Sequence, residues 1–427
     1  MKVFKKLLLP LLIVSAIGLS SCSLFDDTDI EIHNSFDPKL STPSSNPDAV
    51  IVNGVEGKEI ADVSNALCFK NICYATNEKV ANTYKVGGAN ENEFHVNNNE
   101  DYVRETSGNN YDLYVPNGLN KNEKHVVILF IHGGAWVSGF KTDVNEYVYE
   151  FARRGYVTAT IKYTLLKRAM DDPKVSIFRN LDEIDACIAS IKSSLGQLGF
   201  DTTKSQLVIG GASSGSHLAM LYSYSRGEKS SIPINFIVNA VGPVDIKEDG
   251  WKAFTNSSSE VLNGGITKEA IAAQQAEDNI KVLPVSGEGY NWNEYQTMRI
   301  ANGMCGIPYT LEEVKQATNE SEEAIVNPND ASNAMTKVGG GQDQLSVTYW
   351  MGQKVINRYP MICAYAGKDT VVGIAQYARL ETALDNYSIN HEFYYFKNCD
   401  HTDIKAEKDA TAYNGFVSKI AEWCANI

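Results

Sequence analysis

The chain has 427 residues, of which 43% are hydrophobic, 21% charged and 10% aromatic, a composition typical of soluble globular proteins. It excludes a fully disordered, a collagen-like or a multi-pass membrane protein. The formal net charge is −14, with no long basic stretch after the first six residues, so a nucleic-acid partner is not expected. A single catalytic α/β domain usually has about 200 to 300 residues, which leaves about 100 to 200 to be explained.

Residues 1–21 predict a secretory signal peptide. Three lysines within residues 2–6 precede an apolar run, residues 7–19, that is too short to span a bilayer. The run ends in Leu-Ser-Ser-Cys, which resembles the lipobox of bacterial lipoproteins. The resemblance implies cleavage before Cys22 and acylation of that cysteine, and several acyl chains anchor a protein stably. The alternative is an ordinary cleaved signal with a coincidental cysteine.

Residues 22–53 are interpreted as the lipid anchor and a flexible tether, because the segment is polar and contains three prolines. The expected location is the bacterial cell envelope, with the anchor in the outer membrane and the periplasmic or outer face left open. Residues 54–104 are an N-terminal extension to which the sequence assigns no role.

The cysteines allow two disulfides. Once lipid takes Cys22, seven cysteines remain, so at least one thiol stays free. Cys68 and Cys73 are close enough in sequence to bridge, and Cys399 with Cys424 is a second possibility. Zinc competes for the first pair, but no second Cys or His pair lies nearby. We expect no metal and no organic cofactor.

The body of the chain alternates predicted strands and helices. The first strand is the apolar run Val126–Ile131, as expected for a strand buried on both faces of a parallel sheet. The elements that follow are a helix from Asp143 to near Gly155, strand Tyr156–Tyr163, helix Asn180–Gly196, strand Gln206–Gly210, helix Ser214–Tyr224, strand Ile234–Val241, strand Met361–Gly367, helix Gly373–Asp385, strand Glu392–Phe396 and a helix from about Lys408 to Cys424. This alternation predicts a doubly wound, mostly parallel sheet with right-handed crossovers.

Gly-Ala-Ser-Ser-Gly, residues 211–215, lies between a predicted strand and a predicted helix. Gly-x-Ser-x-Gly alone is a weak motif, but a nucleophile elbow needs this tight turn, and glycines on both sides of the serine relieve its crowding. The turn places the hydroxyl at a helix N-terminus, where the helix dipole favours negative charge. Ser213 is therefore the predicted nucleophile. The alternative is a serine in an ordinary glycine-rich turn.

His-Gly-Gly-Ala-Trp, residues 132–136, follows the first predicted strand, and Tyr-Asp-Leu-Tyr-Val-Pro, residues 111–116, precedes it. With these motifs the chain resembles the α/β-hydrolases, and within them the His-Gly-Gly carboxylesterase and lipase group that includes feruloyl and acetyl-xylan esterases. The resemblance covers roughly residues 105–245 and 355–427. It implies the α/β-hydrolase fold for a domain over residues 105–427.

The same resemblance implies an oxyanion hole formed by the backbone N–H groups of Gly133, Gly134 and Ser214. Glycines allow these N–H groups to approach the substrate without obstruction by a side chain. We interpret His132 as shaping the turn rather than acting as a base, and Trp136 as a wall of the substrate pocket. Ser214 and Ser216 stand where the group commonly has Ala and Gly, which adds polarity near the predicted oxyanion hole.

A serine nucleophile needs a base and an orienting acid, which in this fold follow it in the order acid, then histidine. His217 lies one turn along the nucleophile's helix and should point into packing, and His391 begins a predicted strand. His401 lies in the loop before the last helix, the position of the base in the group.

Asp369 follows the strand Met361–Gly367, in a segment that resembles the group's acid segment. It is the predicted acid. Asp400 and Asp403 flank the predicted base in sequence and are the alternatives.

Residues 247–355 form a long insertion after the strand Ile234–Val241. Loops beyond about 15 residues are usually functional or disordered, and this segment contains a predicted helix at Leu311–Gln316. Five of its aromatic residues are Trp251, Tyr290, Trp292, Tyr295 and Trp350. We expect a lid-like insertion that covers Ser213 and shapes the pocket, with ordinary helical decoration as the alternative.

Together these patterns predict an exported, lipid-anchored serine esterase that works through an acyl-enzyme. Its expected partners are an ester substrate, with an acylated plant polysaccharide as a candidate by family analogy alone, and a membrane reached through the lipid anchor. The alternatives are a prolyl-oligopeptidase-like serine peptidase and a catalytically silent surface lipoprotein that binds carbohydrate.

Overall fold

The computed structural model describes residues 49–74, 110–136, 139–164, 176–246, 342–353, 358–369 and 371–427. The described strands are β1 Ile51–Val52, β2 Val55–Glu56, β3 Lys58–Ile60, β4 Val63–Cys73, β5 Asn110–Pro116, β6 His125–Ile131, β7 Val157–Ile161, β8 Ser205–Ala212, β9 Ile234–Ala240, β10 Met361–Ala366 and β11 His391–Phe396. The described α-helices are α1 Asn145–Arg153, α2 Ile177–Gln197, α3 Ser214–Arg226, α4 Val347–Gln353, α5 Ile374–Asn386 and α6 Ala410–Ala425.

Nine of the described strands form one sheet in the order β11-β10-β9-β8-β6-β7-β5-β4-β3. The pairs from β7 through β6, β8, β9 and β10 to β11 are parallel, whereas β5, β4 and β3 continue the sheet antiparallel. After β6 the chain goes to β7 on one side and then to β8 on the other, so the winding reverses at β6 and β8. The predicted doubly wound, mostly parallel sheet is confirmed. In such sheets, sites lie at the carboxyl ends of the strands where the winding reverses.

The helices and strands predicted before and after the insertion are found, with ends that differ by at most three residues. Helix α2 illustrates the reason, since its apolar residues recur every three or four positions along one face. That face is fully buried and comprises Leu181, Ile184, Ile188, Ile191 and Leu195. The helix begins at Ile177, earlier than predicted, because Ser176 caps it by accepting the backbone N–H of Arg179.

Strand β4 lies in the N-terminal extension, for which the sequence predicted no element. Asn65 and Asn71 have left-handed backbone, with φ of 64° and 61°. The register with β5 also shifts between Phe69 and Ile72. These irregularities interrupt the alternation of buried and exposed side chains that identifies a strand in a sequence.

Neither of the two possible disulfides is formed, since Cys68, Cys399 and Cys424 are thiols. Cys68 and Cys73 lie on β4, where the first belongs to the hydrophobic cluster on one face of the sheet and the second packs against the cluster on the other. Their side chains therefore point away from each other, and a bridge between them would require the strand to break. Cys399 and Cys424 are both buried in one cluster, as thiols.

A buried ion pair ties these N-terminal strands to the turn after β6. Lys141 Nζ lies 2.8 Å from Asp112 Oδ1 and 2.6 Å from Asn110 Oδ1, and it also contacts Asn71 Oδ1. The Lys141 and Asp112 side chains are 11% and 2% exposed. Lys141 begins the short 3₁₀ helix Lys141–Val144, which follows the segment that contains Gly133 and Gly134. The ion pair therefore holds the end of this segment against β4 and β5.

We expect Lys141→Met to lower the free energy of unfolding by about 3 to 5 kcal/mol, because it leaves the buried Asp112 carboxylate without its cationic partner. Arg154→Met is the matched control. It removes an ion pair of 2.7 Å to Glu150 whose side chains are 39% and 29% exposed, and should cost at most about 1 kcal/mol. Urea unfolding of both variants measures the difference, and equal losses would contradict the account.

Much of the predicted insertion lies outside the described residues, including its predicted helix and all of the aromatic residues named above except Trp350. The returning end is described: Leu345, Val347 and Met351 are buried against the core. The Val347 N–H donates to the Val244 carbonyl at 2.7 Å, so the two ends of the insertion lie together. The predicted lid itself stays a prediction.

Residues 1–48, with the predicted signal peptide and Cys22, also lie outside the described residues, as does the predicted domain boundary at residue 104. Within the described part of the chain, no helix is long and apolar enough to cross a membrane.

Candidate active site

Ser213 lies in a tight turn between β8 and α3. Its backbone is left-handed, with φ of 53°, and its own N–H is bonded to the Ala240 carbonyl at 2.8 Å. A side chain on Gly215 would collide with the carbonyl oxygens of Ile131 and His132, so a glycine there lets the end of β6 lie against the turn. The strained backbone and close packing fit a serine presented for reaction rather than one in an ordinary loop.

Ser213, His401 and Asp369 form one hydrogen-bonded chain. His401 Nε2 lies 2.8 Å from Ser213 Oγ, and His401 Nδ1 lies 2.7 Å from Asp369 Oδ2. A carboxylate only accepts, so Nδ1 carries the proton and Nε2 is left to accept the serine hydroxyl. The Asp369 side chain is 2% exposed and that of His401 13%. The structure thus brings together the three residues that the sequence selected as nucleophile, base and acid.

Asp369 is itself fixed by backbone groups. Its Oδ1 accepts the N–H groups of Val371 and Val372, each at 2.8 Å. The loop is joined to that of the base because the Lys368 N–H donates to the Cys399 carbonyl at 2.9 Å. The acid and the base are therefore held by two adjacent strand ends, those of β10 and β11.

The alternative acids are engaged elsewhere. Asp400 accepts the backbone N–H and the hydroxyl of Thr402, at 3.0 and 3.1 Å. Asp403 pairs with Lys408 at 3.3 Å. Among the other histidines, His391 Nδ1 lies 2.8 Å from the carbonyl of Ile389, two residues before it in the chain.

The predicted oxyanion donors flank Ser213. A side chain on Gly133 would come within 3.0 Å of the Ser213 Cβ and 2.9 Å of the Ala212 carbonyl, so this glycine backbone lies directly against the nucleophile. Ser214 is the first residue of α3, where backbone N–H groups have no acceptor within the helix. Gly134, the residue after Gly133, has a φ of 114°. These three positions can surround an anion that forms on the carbonyl oxygen of a substrate attacked by Ser213.

Sequence reasoning missed the residues that hold this arrangement in place. Ser216 Oγ accepts the Ala240 N–H at 2.9 Å and contacts the Gly211 carbonyl, which joins β8, β9 and the nucleophile turn. Tyr163 donates to the His132 carbonyl at 3.1 Å and stacks on the His132 ring. The departure of Ser216 from the group's pattern was the signal for the first, and no local pattern marks the second.

Two buried histidines lie beneath the site. His132 Nδ1 lies 2.8 Å from the Gly133 carbonyl, within the turn that it was expected to shape. His217 points into packing, as predicted, and binds Trp136 and the Leu345 carbonyl. Burial lowers the pKa of each to about 4. Trp136 is 4% exposed and lies in the core, and its role as a pocket wall stays a prediction.

These low pKa values predict a loss of stability in acid. Below about pH 6.5 the unfolded chain protonates both histidines while the folded chain keeps them neutral. The free energy of unfolding therefore decreases as the pH is lowered from about 6.5 to about 4. At pH 5 each histidine should cost about 2 kcal/mol relative to pH 7.5. Urea unfolding at several pH values should show a shallower loss in His217→Gln than in the unmodified protein. Parallel curves would contradict the assignment.

This chain is similar to several known proteins. Residues 111–283 match the BD-FAE family model. A truncated form of a carbohydrate esterase from gut microbiota aligns with 86% of this chain and 99% of its own, at 14% identity and a TM-score of 0.50. A bacterial heroin esterase aligns with 74% of this chain and 79% of its own, at 13% identity and a TM-score of 0.46.

A curated relative, the non-reducing polyketide synthase Preu3 of Preussia isomera, is 22% identical over 340 residues. The alignment covers 73% of this chain and 12% of that relative. The likeness to the carbohydrate esterase is one of fold, and the predicted α/β-hydrolase fold is confirmed. The chain therefore has the α/β-hydrolase fold, and its residues 111–283 are similar to the BD-FAE family.

Proposed function

We propose that this protein is a serine esterase in which Ser213, His401 and Asp369 hydrolyse a carboxylic ester through an acyl-enzyme. The observation that carries the proposal is the chain of two hydrogen bonds, 2.8 and 2.7 Å long, that joins these side chains at the carboxyl ends of three strands. A serine hydroxyl is a weak nucleophile unless a base removes its proton during the attack.

In the first step, Ser213 Oγ bonds to the ester carbonyl carbon while its proton passes to His401 Nε2. Asp369 stabilises the imidazolium, and the backbone N–H groups of Gly133, Gly134 and Ser214 bind the oxyanion. The carbon–oxygen bond to the alcohol then breaks, and His401 returns the proton to the departing oxygen.

In the second step, a water molecule gives its proton to His401 and attacks the acyl carbon. The bond to Ser213 Oγ breaks, the serine recovers its proton, and the acid is released. The described side chains suffice for each proton transfer in this cycle.

The proposal extends to location and substrate class. The sequence of residues 1–22 supports export and lipid attachment at Cys22 to the bacterial cell envelope. An acylated carbohydrate is the substrate class that the sequence resemblance implies. A gut carbohydrate esterase of the same fold makes sugar esters the first compounds to try.

The test compares matched esters and amides. We expect rapid hydrolysis of short 4-nitrophenyl esters and acetylated or feruloylated sugars, and at least about 100-fold slower cleavage of the corresponding anilides, because the alkoxide is the better leaving group. An amide preference would favour the peptidase alternative. Absence of turnover on the whole panel would favour the silent carbohydrate binder.

A further inference from the structure

The loop that carries the predicted oxyanion glycines has an unfavourable backbone. After Gly134, with φ of 114°, both Ala135 and Trp136 are left-handed, with φ of 51° and 63°. Residues with a side chain avoid this region because the Cβ atom crowds the following carbonyl oxygen. Two such residues in succession keep this shape only where surrounding contacts hold them.

Trp136 is held by His217. Its indole N–H donates to His217 Nδ1 at 3.2 Å, and the two rings meet edge to face at 5.3 Å. The tryptophan is 4% exposed and the histidine fully buried. A buried hydrogen bond of this kind is costly to lose because each partner is left without water.

The second nitrogen of the ring fixes its orientation. His217 Nε2 lies 2.7 Å from the Leu345 carbonyl, which can only accept, so Nε2 carries the proton and Nδ1 is the acceptor for Trp136. Leu345 belongs to the segment Gln342–Gln353 that returns from the insertion and packs on the core. One imidazole therefore joins the oxyanion loop, the nucleophile's helix α3 and the end of the insertion.

We propose that His217 is a positioning residue that holds the oxyanion loop in its reactive shape through Trp136 and links that loop to the segment returning from the insertion. The inference rests on the proposed esterase function, because the loop matters most where an oxyanion forms. Since the oxyanion exists in the transition state and not in the bound ester, a displaced loop should lower kcat and leave KM nearly unchanged.

The kinetic test uses three variants. His217→Leu and Trp136→Phe should each lower kcat by about 10- to 100-fold, less than the loss of a whole oxyanion donor, with KM within about threefold. The kcat of the double variant should be no lower than that of the less active single variant, because both substitutions remove the same hydrogen bond. His217→Gln should recover most of the activity, since its amide offers one acceptor and one donor.

His125→Leu is the matched control. His125 is also buried and hydrogen-bonded, to Ser205 Oγ at 2.7 Å, but it begins β6 at the opposite end from the glycine loop. Its loss should lower stability and leave kcat within about twofold. If His217→Leu behaved like His125→Leu in kcat, the positioning role would be wrong.

A second readout is independent of catalysis. The indole ¹⁵N–¹H signal of Trp136, identified by its loss in Trp136→Phe, should exchange slowly with solvent in the unmodified protein and in His125→Leu, and quickly in His217→Leu. An unchanged signal in His217→Leu would overturn the inference. A protein without ester hydrolysis but with this exchange pattern would instead reject the proposed function and keep the tether.

Discussion

Ser213→Ala should lower kcat for a short aryl ester by about a million-fold, the loss typical when a serine hydrolase loses its nucleophile. The geometry explains the size of the effect, because Ser213 Oγ lies 2.8 Å from His401 Nε2, within the distance that proton transfer during attack requires. Alanine keeps the left-handed backbone of the turn, so the variant should unfold at nearly the same temperature. Initial rates at saturating ester, with thermal melts of both proteins, measure both quantities.

Ser223→Ala is the matched control for this variant. Ser223 also lies on α3, about ten residues after the nucleophile turn, and its hydroxyl donates to the Ala219 carbonyl at 2.8 Å. It should keep kcat within about twofold. Turnover in Ser213→Ala within 100-fold of the unmodified rate would remove Ser213 from the mechanism.

Asp369→Asn should lower kcat by about 10,000-fold, through the tautomer of His401. Asp369 Oδ1 accepts two backbone N–H groups, from Val371 and Val372, so an asparagine must keep its carbonyl oxygen there. Its amide NH₂ group would then face His401 Nδ1 and force the imidazole proton onto Nε2. That proton would point at Ser213 Oγ, and the histidine could no longer accept.

Asp400→Asn and Asp403→Asn control for the loss of a negative charge near the base. Their carboxylates bind Thr402 and Lys408 and not the imidazole, so each should change kcat by less than about tenfold. Steady-state kinetics on one ester compares the three variants. A larger loss of kcat in either control than in Asp369→Asn would assign the role of the acid to that control residue.

The positions that the sequence located well are those marked by local pattern or by chain order. The Gly-x-Ser-x-Gly turn has its own signature, and the order of acid and histidine after the nucleophile selected Asp369 and His401 from several candidates. The structure brings these three side chains within hydrogen-bonding distance.

The features that were missed depend on contacts distant in sequence or on irregular backbone. His217 binds Trp136 and Leu345, which are 81 residues before it and 128 residues after it. Strand β4 was hidden because Asn65 and Asn71 interrupt its alternation. The spacing of Cys68 and Cys73 allowed a disulfide, but the strand places their side chains on opposite faces of the sheet.

The central claim is that Ser213 becomes covalently modified during turnover, and its most direct test is reaction with a fluorophosphonate followed by peptide mapping. The reagent mimics the tetrahedral state and bonds to an activated serine. We predict one phosphonyl group, on the peptide that contains Ser213, no labelling of Ser213→Ala, and much slower labelling of Asp369→Asn. An adduct on another residue, or continued ester hydrolysis by fully labelled protein, would contradict the account.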